Sequence, residues 1–564
     1  MAKKKTFDKR FTTVVVVLFL GFAFIAGKLV LIQVIQAAHY KKLASEQRDK
    51  TIKVIPPRGV IMDRDGEVLA ISEECSTVYA TPYLVKDKKC VSRKIARVLG
   101  EDQGDIARKL GANSGFVYLE RKLDNAIADR LKKMNLPGIG FINESKRYYP
   151  LGSLASQTLG LVDVDNKGQA GLELYYEDLL GGKPGEVLLE RDAVGNPIPG
   201  TEKKRRAEVD GVDIQLTLDK DIQSCVEEAL ASAIKKYGAR AATSVVMDCN
   251  TGDILAMATA PTFDANKREK IDPQAMRNRA ITDAYEPGSA LKIVTASAAL
   301  QEGVVDPETV IQVQSQLKVA DEVFKDAEPE PTRHLNFTQI ISQSSNVGTI
   351  QVAQSLGAKR LYEYLDRFGL GHKTGVDFPG EATGVLNPLA SWSGTSLPTI
   401  AIGQGISVTP LQLACVAGSI ANGGRKICPH FMNSQVVARG AVDMGLGGLG
   451  EEVLNKDTSR KMTGILEQVL LPNSTGKKAA VNYYRVAGKT GTAAKANSRG
   501  PGYFGRYMAT FVGFAPAERP RVVCLVVLDE PTPIWGGETA APLFSEIMGF
   551  SMQHLKIPPD PWLR

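Results

Sequence analysis

Three short groups of residues in this 564-residue chain could together carry out acyl transfer. In Ser289-Ala290-Leu291-Lys292 a hydroxyl and an amine stand three apart, a spacing that puts both on one helix face within hydrogen-bond reach. A lysine held neutral beside a serine can take its proton and make it a nucleophile. Ser344-Ser345-Asn346 adds a second hydroxyl and an amide for proton transfer and substrate contact. Lys489-Thr490-Gly491-Thr492 adds a cation and hydroxyls on a strand, equipment to hold a carboxylate. The histidines (His39, His334, His372, His430 and His554) fall outside all three groups, and none is needed where lysine is the base.

Each group alone is a weak signal. Ser-x-x-Lys recurs at Ser315 and Ser474, and Lys-Thr-Gly recurs at Lys373, whereas Ser-x-Asn stands only at Ser344. The surrounding elements decide. Ser289 follows Glu286-Pro287-Gly288 and opens an apolar run, Leu291 to Leu300, that reads as a buried helix entered by a tight turn. A nucleophile at that N-terminus lies where the helix dipole favours a developing anion. Ser315 lies in an alternating stretch, 310–319, that reads as an exposed strand, and Ser474 lies in a Pro-Asn-Ser-Thr-Gly loop. Lys489 is approached through Tyr484-Arg485-Val486-Ala487-Gly488, a strand pattern expected to turn Lys and Thr side chains to one face. Lys373 leads instead into a turn-rich surface stretch.

The remainder of the chain must place this serine. A basic start (Lys3, Lys4, Lys5, Lys9, Arg10) precedes an apolar run over 11–32 that only Lys28 interrupts. Roughly 20 apolar residues span a bilayer, and basic residues favour the cytoplasmic side, so a single anchor with its tail inside is expected. The run is too long for the core of a cleaved signal peptide and lacks an A-x-A site. Residues 33–50 read as a helical stalk, stopped by Pro56-Pro57. Val60 to Ala70 reads as a hairpin turning at Asp65-Gly66, and 90–135 as amphipathic helices. Lys203-Lys204-Arg205-Arg206 reads as an exposed link, after which Asp219 caps a helix and Ser244 to Met257 forms a second hairpin. Val522 to Leu528 is continuously apolar and so reads as a buried strand. An α+β domain follows, its sheet closed by its first and last segments.

Composition narrows the partners. A net charge of +7 with no basic block interleaved with aromatics argues against nucleic acid. Seven scattered cysteines without a CxxC pair argue against structural zinc. They read as small buried hydrophobes, with a Cys75–Cys90 disulfide as the alternative. Asp163-Val164-Asp165-Asn166-Lys167-Gly168 starts like a calcium loop, but Lys167 and Leu174 stand where oxygen ligands are required. Neither metal nor cofactor is expected.

With these residues in place, the chain resembles the class B penicillin-binding proteins, monofunctional peptidoglycan D,D-transpeptidases. The likeness extends over nearly all of it. It includes Pro57-Arg58-Gly59, Asp63-Arg64-Asp65-Gly66, Arg147-Tyr148-Tyr149-Pro150, Gly403-Gln404-Gly405 and Thr409-Pro410-Leu411-Gln412-Leu413. One departure is Ala290, where the family usually has threonine; an effect on helix packing only is expected. The resemblance implies a cytoplasmic tail (1–10), a transmembrane helix (11–32), an elongated mixed, mainly-β pedestal (33–205) and a transpeptidase domain (206–564) with a five-stranded antiparallel sheet sandwiched by helices. It implies Ser289 as nucleophile, Lys292 as base, Ser344 as proton relay and Asn346 as substrate contact. Lys489, Thr490, Gly491 and Thr492 would hold the terminal carboxylate of a D-Ala-D-Ala stem peptide, and backbone N–H groups of Ser289 and Thr492 the oxyanion. β-Lactams would acylate Ser289 and stay. Length and layout resemble the division-specific branch at the outer face of the cytoplasmic membrane, whose partners are a SEDS-family (FtsW-like) glycosyltransferase and other divisome membrane proteins; the elongation-specific branch is the alternative. A β-lactamase would need a deacylating water with its base, and a β-lactam sensor a cytoplasmic signalling domain that ten residues cannot hold. A catalytically dead scaffold should have lost a motif residue.

Overall fold

The computed structural model describes residues 4–190, 203–267, 271–328, 330–433, 448–496 and 502–561. The chain packs as two compact units that do not follow chain order. One comprises Met1–Pro57, Glu73–Lys146 and Gly182–Gly211; the other comprises Arg58–Ser72, Arg147–Gly181 and Val212–Arg564.

In the first unit, α1 (Lys4–Val30) is exposed throughout its apolar length, and the helical stretch Lys9–Ile35 is long and apolar enough to cross a membrane. The stalk helix α2 (Ala37–Arg48) ends sooner than the prolines suggested. Asp49 turns extended, and the β-branched Thr51, Ile52 and Val54 carry the chain into β1 (Asp49–Val54), so Pro56 and Pro57 terminate a strand rather than a helix. β1 pairs antiparallel with β2 (Gly185–Glu190), which pairs with β3 (Lys204–Arg206). The expected basic link is therefore part of a sheet. Lys203 Nζ lies 2.5 Å from Asp49 Oδ1 and 2.9 Å from Glu190 Oε1.

Three amphipathic helices, Lys88–Leu99, Gln103–Gly111 and Asn125–Lys132, cover the strand Val117–Leu123 through Val91, Ile95, Ile106, Leu110, Leu119 and Leu131. Asp87 and Asp102 cap the first two. Cys75 and Cys90 are both unpaired, as are the other five cysteines.

In the second unit, Asp63 and Asp163 build the same device. Each carboxylate accepts hydrogen bonds from the backbone N–H groups two and four residues ahead: Asp65 and Glu67 for the first, Asp165 and Lys167 for the second. The apparent calcium loop is thus a hairpin turn whose carboxylate oxygen is engaged by its own backbone. Beside it, Glu173 sits under two guanidinium groups. Arg58 Nε is 2.5 Å from one oxygen and Arg147 Nε 2.6 Å from the other, with all three side chains at most 1% exposed.

The large sheet comes from both ends of the unit. The helix α3 (Lys220–Tyr237), capped by Asp219, precedes β4 (Ala241–Asp248) and β5 (Ile254–Ala260). After the helices α4 (Lys292–Gln301), α5 (Asn346–Leu356) and α6 (Pro410–Ala421), the chain adds β6 (Ala487–Ala496), β7 (Tyr503–Ala515), β8 (Val522–Asp529) and α7 (Gly536–His554). The order β5-β4-β8-β7-β6 is antiparallel throughout and puts β8 at the centre. All eight of its residues are buried, as a continuous apolar run requires. Alternation splits the sheet between two cores. Val246, Phe511 and Val526 pack on α3 and α7, and Val245, Val523 and Leu525 on the side of α4 and α6. The start of α6 is fixed by a capping box between Thr409 and Gln412 with Pro410 at its first position.

Candidate active site

Ser289 does not open α4 itself. It lies on a 3₁₀ turn, Gly288–Leu291, and Lys292 is the first residue of the helix. Gly288 makes the turn with φ +53°. Space demands glycine there too, since a Cβ would lie 2.9 Å from the Thr492 carbonyl oxygen. Gly403 accepts the Gly288 N–H (2.9 Å), and a Cβ on Gly403 would come within 2.0 Å of the Gly288 oxygen. The Gly403-Gln404-Gly405 loop thus grips the serine's turn backbone to backbone.

Lys292, completely buried, reaches three acceptors: Ser344 O at 2.7 Å, Asn346 Oδ1 at 2.7 Å and Ser344 Oγ at 3.4 Å. Ser344 can offer carbonyl and hydroxyl together because its backbone is left-handed (φ +60°), a conformation that costs of order 1–3 kcal/mol for a residue with a side chain. Lys489, also completely buried, donates to the same hydroxyl at 3.0 Å. Two ammonium candidates therefore share one serine oxygen. Burial, and then the neighbouring Lys489, push Lys292 well below the ordinary lysine range, with Asp326 opposing. Burial brings Lys489 down to about 7. The arrangement favours a neutral Lys292 beside a Lys489 that carries the charge.

Lys489 to Thr492 lie on β6, the sheet's edge. The expectation that lysine and threonine share a face does not hold, because a strand alternates. Lys489 turns to Ser344, whereas Thr490 Oγ1 donates to Thr475 Oγ1 (2.9 Å) and Thr492 Oγ1 accepts from Gly536 N (3.1 Å). At Gly491 the strand presses on the serine's turn; a Cβ there would be 2.8 Å from Pro287 O and 3.1 Å from Ala290 Cβ. The Thr492 carbonyl points at Gly288, and a strand residue's N–H and C=O share a side, so the Thr492 N–H also faces the turn.

The other copies of the motifs lie elsewhere. Ser315 falls between two short strands, and Ser232, which has the same spacing to Lys235, is exposed on α3. The Thr374 and Gly375 N–H groups donate to Glu381 in a local turn. The loop around Ser474 is closer to the site, since it supplies Thr475.

Asp326 escaped the reading of the sequence. Its carboxylate accepts from Ser345 Oγ (2.8 Å), Asn346 N (2.6 Å) and Val347 N (3.0 Å), so it caps α5 from outside and fixes the Ser-Ser-Asn turn. Nothing in Lys325-Asp326-Ala327 marks it; the loop is brought there by the fold. We expect Asp326→Asn to slow acylation of Ser289 by on the order of 10-fold, the worth of one charge-assisted hydrogen bond. Losing this anion also lowers the Lys292 pKa further, so the acid limb of the acylation profile should move to lower pH. Stopped-flow labelling with a fluorescent penicillin across pH measures both. An unchanged rate and an unmoved limb would remove Asp326 from the site.

A serine on a tight turn, two buried lysines around a second serine and an edge strand define a serine acyltransferase of the penicillin-binding type. The family model for the penicillin-binding protein transpeptidase domain matches residues 242–549, and that for the penicillin-binding protein dimerisation domain matches 53–216. Penicillin-binding protein PbpB of Mycolicibacterium smegmatis is 34% identical over 95% of this chain and 89% of its own length. Peptidoglycan D,D-transpeptidase FtsI of Escherichia coli is 32% identical over 98% and 92%. The crystal structure of penicillin-binding protein 3 from Mycobacterium tuberculosis in complex with aztreonam superposes with a TM-score of 0.69 at 29% identity, covering 91% of this chain and 99% of that one. The chain belongs to the class B penicillin-binding proteins, the peptidoglycan D,D-transpeptidases.

Proposed function

We propose that the chain cross-links peptidoglycan stem peptides through an acyl-Ser289 intermediate. The observation that carries this reading is the pair of buried lysines, Lys292 and Lys489, meeting on Ser344 Oγ beside the serine's turn. Ser289 Oγ attacks the carbonyl of the penultimate D-alanine, and neutral Lys292 takes the hydroxyl proton. The oxyanion is met by the N–H groups of Ser289 and Thr492; one such donor is typically worth about 2.7–4 kcal/mol. Ser344 passes a proton to the departing D-alanine as the C–N bond breaks. Asn346 holds the substrate amide, and Lys489, Thr490 and Thr492 hold its carboxylate from the two sides of the strand edge. An amine of a second stem peptide then takes the acyl group and restores the Ser289 hydroxyl.

The support for a septal role is the near full-length likeness to FtsI. In that role the catalytic unit works outside the cytoplasm, held by α1, and the partners are a SEDS-family glycosyltransferase and other division proteins of the membrane. Conditional depletion tests this: filaments support the septum, and round cells would move the role to elongation.

The chemistry is tested with full-length protein in detergent and a fluorescent penicillin. We expect one covalent label per chain that is released over many minutes or longer. Rapid turnover would make the protein a β-lactamase, and absence of label a scaffold.

A further inference from the structure

A cavity of about 770 Å³, within the size range of ligand sites, opens between the short helix Phe337–Ser342 and the helix Lys456–Gln468. Its walls continue into the active site. Ser342 and Gln343 on one wall lead into Ser344, and Asn473 and Ser474 on the other lead into Thr475, the partner of Thr490. The charged groups of the walls are already engaged: Arg460 lies 2.7 Å from Asp457, Lys461 lies 3.1 Å from Asp306, and Glu308 accepts from Asn336 (2.9 Å). Three amides are not. Gln343, Gln468 and Asn473 make no side-chain hydrogen bond among the described residues. Each offers donors and an acceptor, the groups that a peptide backbone presents in turn. The cavity therefore fits an uncharged polar chain rather than an ion.

The second half of the reaction leads to it. Lys489 and Thr492 stand about 10 Å apart along β6. With the donor carbonyl at Thr492 and its carboxylate at Lys489, the departing D-alanine lies between them and leaves past Ser344, which Lys489 touches. The amine that replaces it must bring its nitrogen to the place the D-alanine nitrogen vacated, because deacylation reverses acylation over the same proton relay. There the nitrogen forms the new C–N bond as the bond from the carbonyl to Ser289 Oγ breaks. The proton it sheds passes by Ser344 Oγ to Lys292, 3.4 Å away, and on to Ser289 Oγ. The rest of the incoming molecule then extends past Ser344 and Thr475, where the cavity begins.

We propose that this cavity binds the second, amine-bearing stem peptide by its backbone and sets its nitrogen on the Ser344 side of the acyl-Ser289 carbonyl. The proposal rests on the transpeptidase reading above and gives its second substrate a place.

Gly464 supplies the test. It lies on the cavity wall inside the helix Lys456–Gln468, and a Cβ there would meet nothing within 4 Å, so a large side chain suits the fold and fills the cavity. Full-length protein is acylated by a thioester donor and offered one of two amines. One is free D-alanine, too small to reach from the acyl carbonyl into the cavity. The other is a synthetic stem tripeptide ending in an amine-bearing residue, lysine and diaminopimelate in parallel. Wild-type protein should use the better tripeptide about 10-fold or more above D-alanine in kcat/KM for aminolysis. In Gly464→Trp, and in the double variant Gln468→Ala with Asn473→Ala, that ratio should fall about 5-fold or more, while penicillin labelling and thioester hydrolysis stay within about 2-fold of wild type. Gly464→Ala should keep the wild-type ratio. A wild-type ratio near one, or a ratio that Gly464→Trp leaves unchanged, overturns the proposal. So does a loss in Gly464→Trp confined to a tripeptide carried on its disaccharide, which would give the cavity to the glycan strand. Label and thioester turnover without tripeptide preference remove this site alone, whereas the absence of both from wild type removes the reading beneath it.

Discussion

Replacing Ser289 by alanine is expected to abolish covalent labelling by penicillin, and Lys292→Met to slow it about 10²–10⁴-fold, the usual worth of a positioned general base. The pH dependence follows from the two lysines. Only neutral Lys292 can accept the serine proton, so acylation should fall as pH drops through its depressed pKa. Only charged Lys489 attracts the substrate carboxylate strongly, so affinity should weaken as pH rises through about 7. Stability runs differently. A lysine whose folded pKa is depressed binds more protons when unfolded, so it destabilises the fold below its unfolded pKa, and stability rises with pH between the folded and unfolded values. For Lys489 that window runs from about 7 to 10.5. Lys292→Met should therefore raise the melting temperature at neutral pH while slowing acylation. A variant that acylates at the wild-type rate, or one that melts lower, would contradict the assignment of Lys292 as a buried neutral base.

Breaking the buried charge cluster gives the second large effect. Glu173→Ala removes the carboxylate shared by Arg58 and Arg147, two guanidinium side chains at most 1% exposed, and leaves Arg147 with no carboxylate at all. Arg58 keeps only Glu177 (2.6 Å) and the Asn166 and Glu173 carbonyls, and Arg147 keeps the Gly59 carbonyl (2.7 Å). Removing one member of such a set typically costs about 3–5 kcal/mol, most of it the penalty of an uncompensated buried charge. Urea denaturation followed by tryptophan fluorescence should show that loss. A change below about 1 kcal/mol would mean that water or a rearranged side chain reaches these guanidinium groups. Replacing all three residues by apolar groups of similar volume should be far milder, because the one charge that loses its partner, Glu177, is about a third exposed and reaches water.

Chemistry was legible in the sequence where local pattern carries it. The apolar run after Ser289, the hairpin before Met257 and the continuous strand at Val522 each declare their burial through periodicity. What a strand does with successive residues was legible too, yet the alternation that parts Lys489 from Thr490 shows only once the partners Ser344 and Thr475 are in place. Asp326, Thr475 and Glu173 were not legible, since each belongs to a loop or short helix whose role comes from what it meets across the fold. Arg58 and Arg147 illustrate the difference. Both stood in motifs quoted from the sequence, but the residue that joins them, Glu173, lies in Gly171–Tyr175, a single turn with no periodic signal. The same holds for the turn at Gly288: proline and glycine announce a bend, and only the close approach of Thr492 explains why glycine alone fits.

The central position of β8 has a consequence in time. β4, near the start of the second unit's long C-terminal segment, bonds along its whole length to β8, and α7 closes over the face they share with β7. A growing chain contains Ser289, Lys292 and Ser344 well before residues 522–554 exist. Until those residues arrive, β4 lacks its neighbour and the strand carrying Lys489 is joined to the sheet only through an unfinished hairpin. The enzyme is consequently silent during its own synthesis: the reactive serine is made early but is armed only once β8 and α7 have followed it.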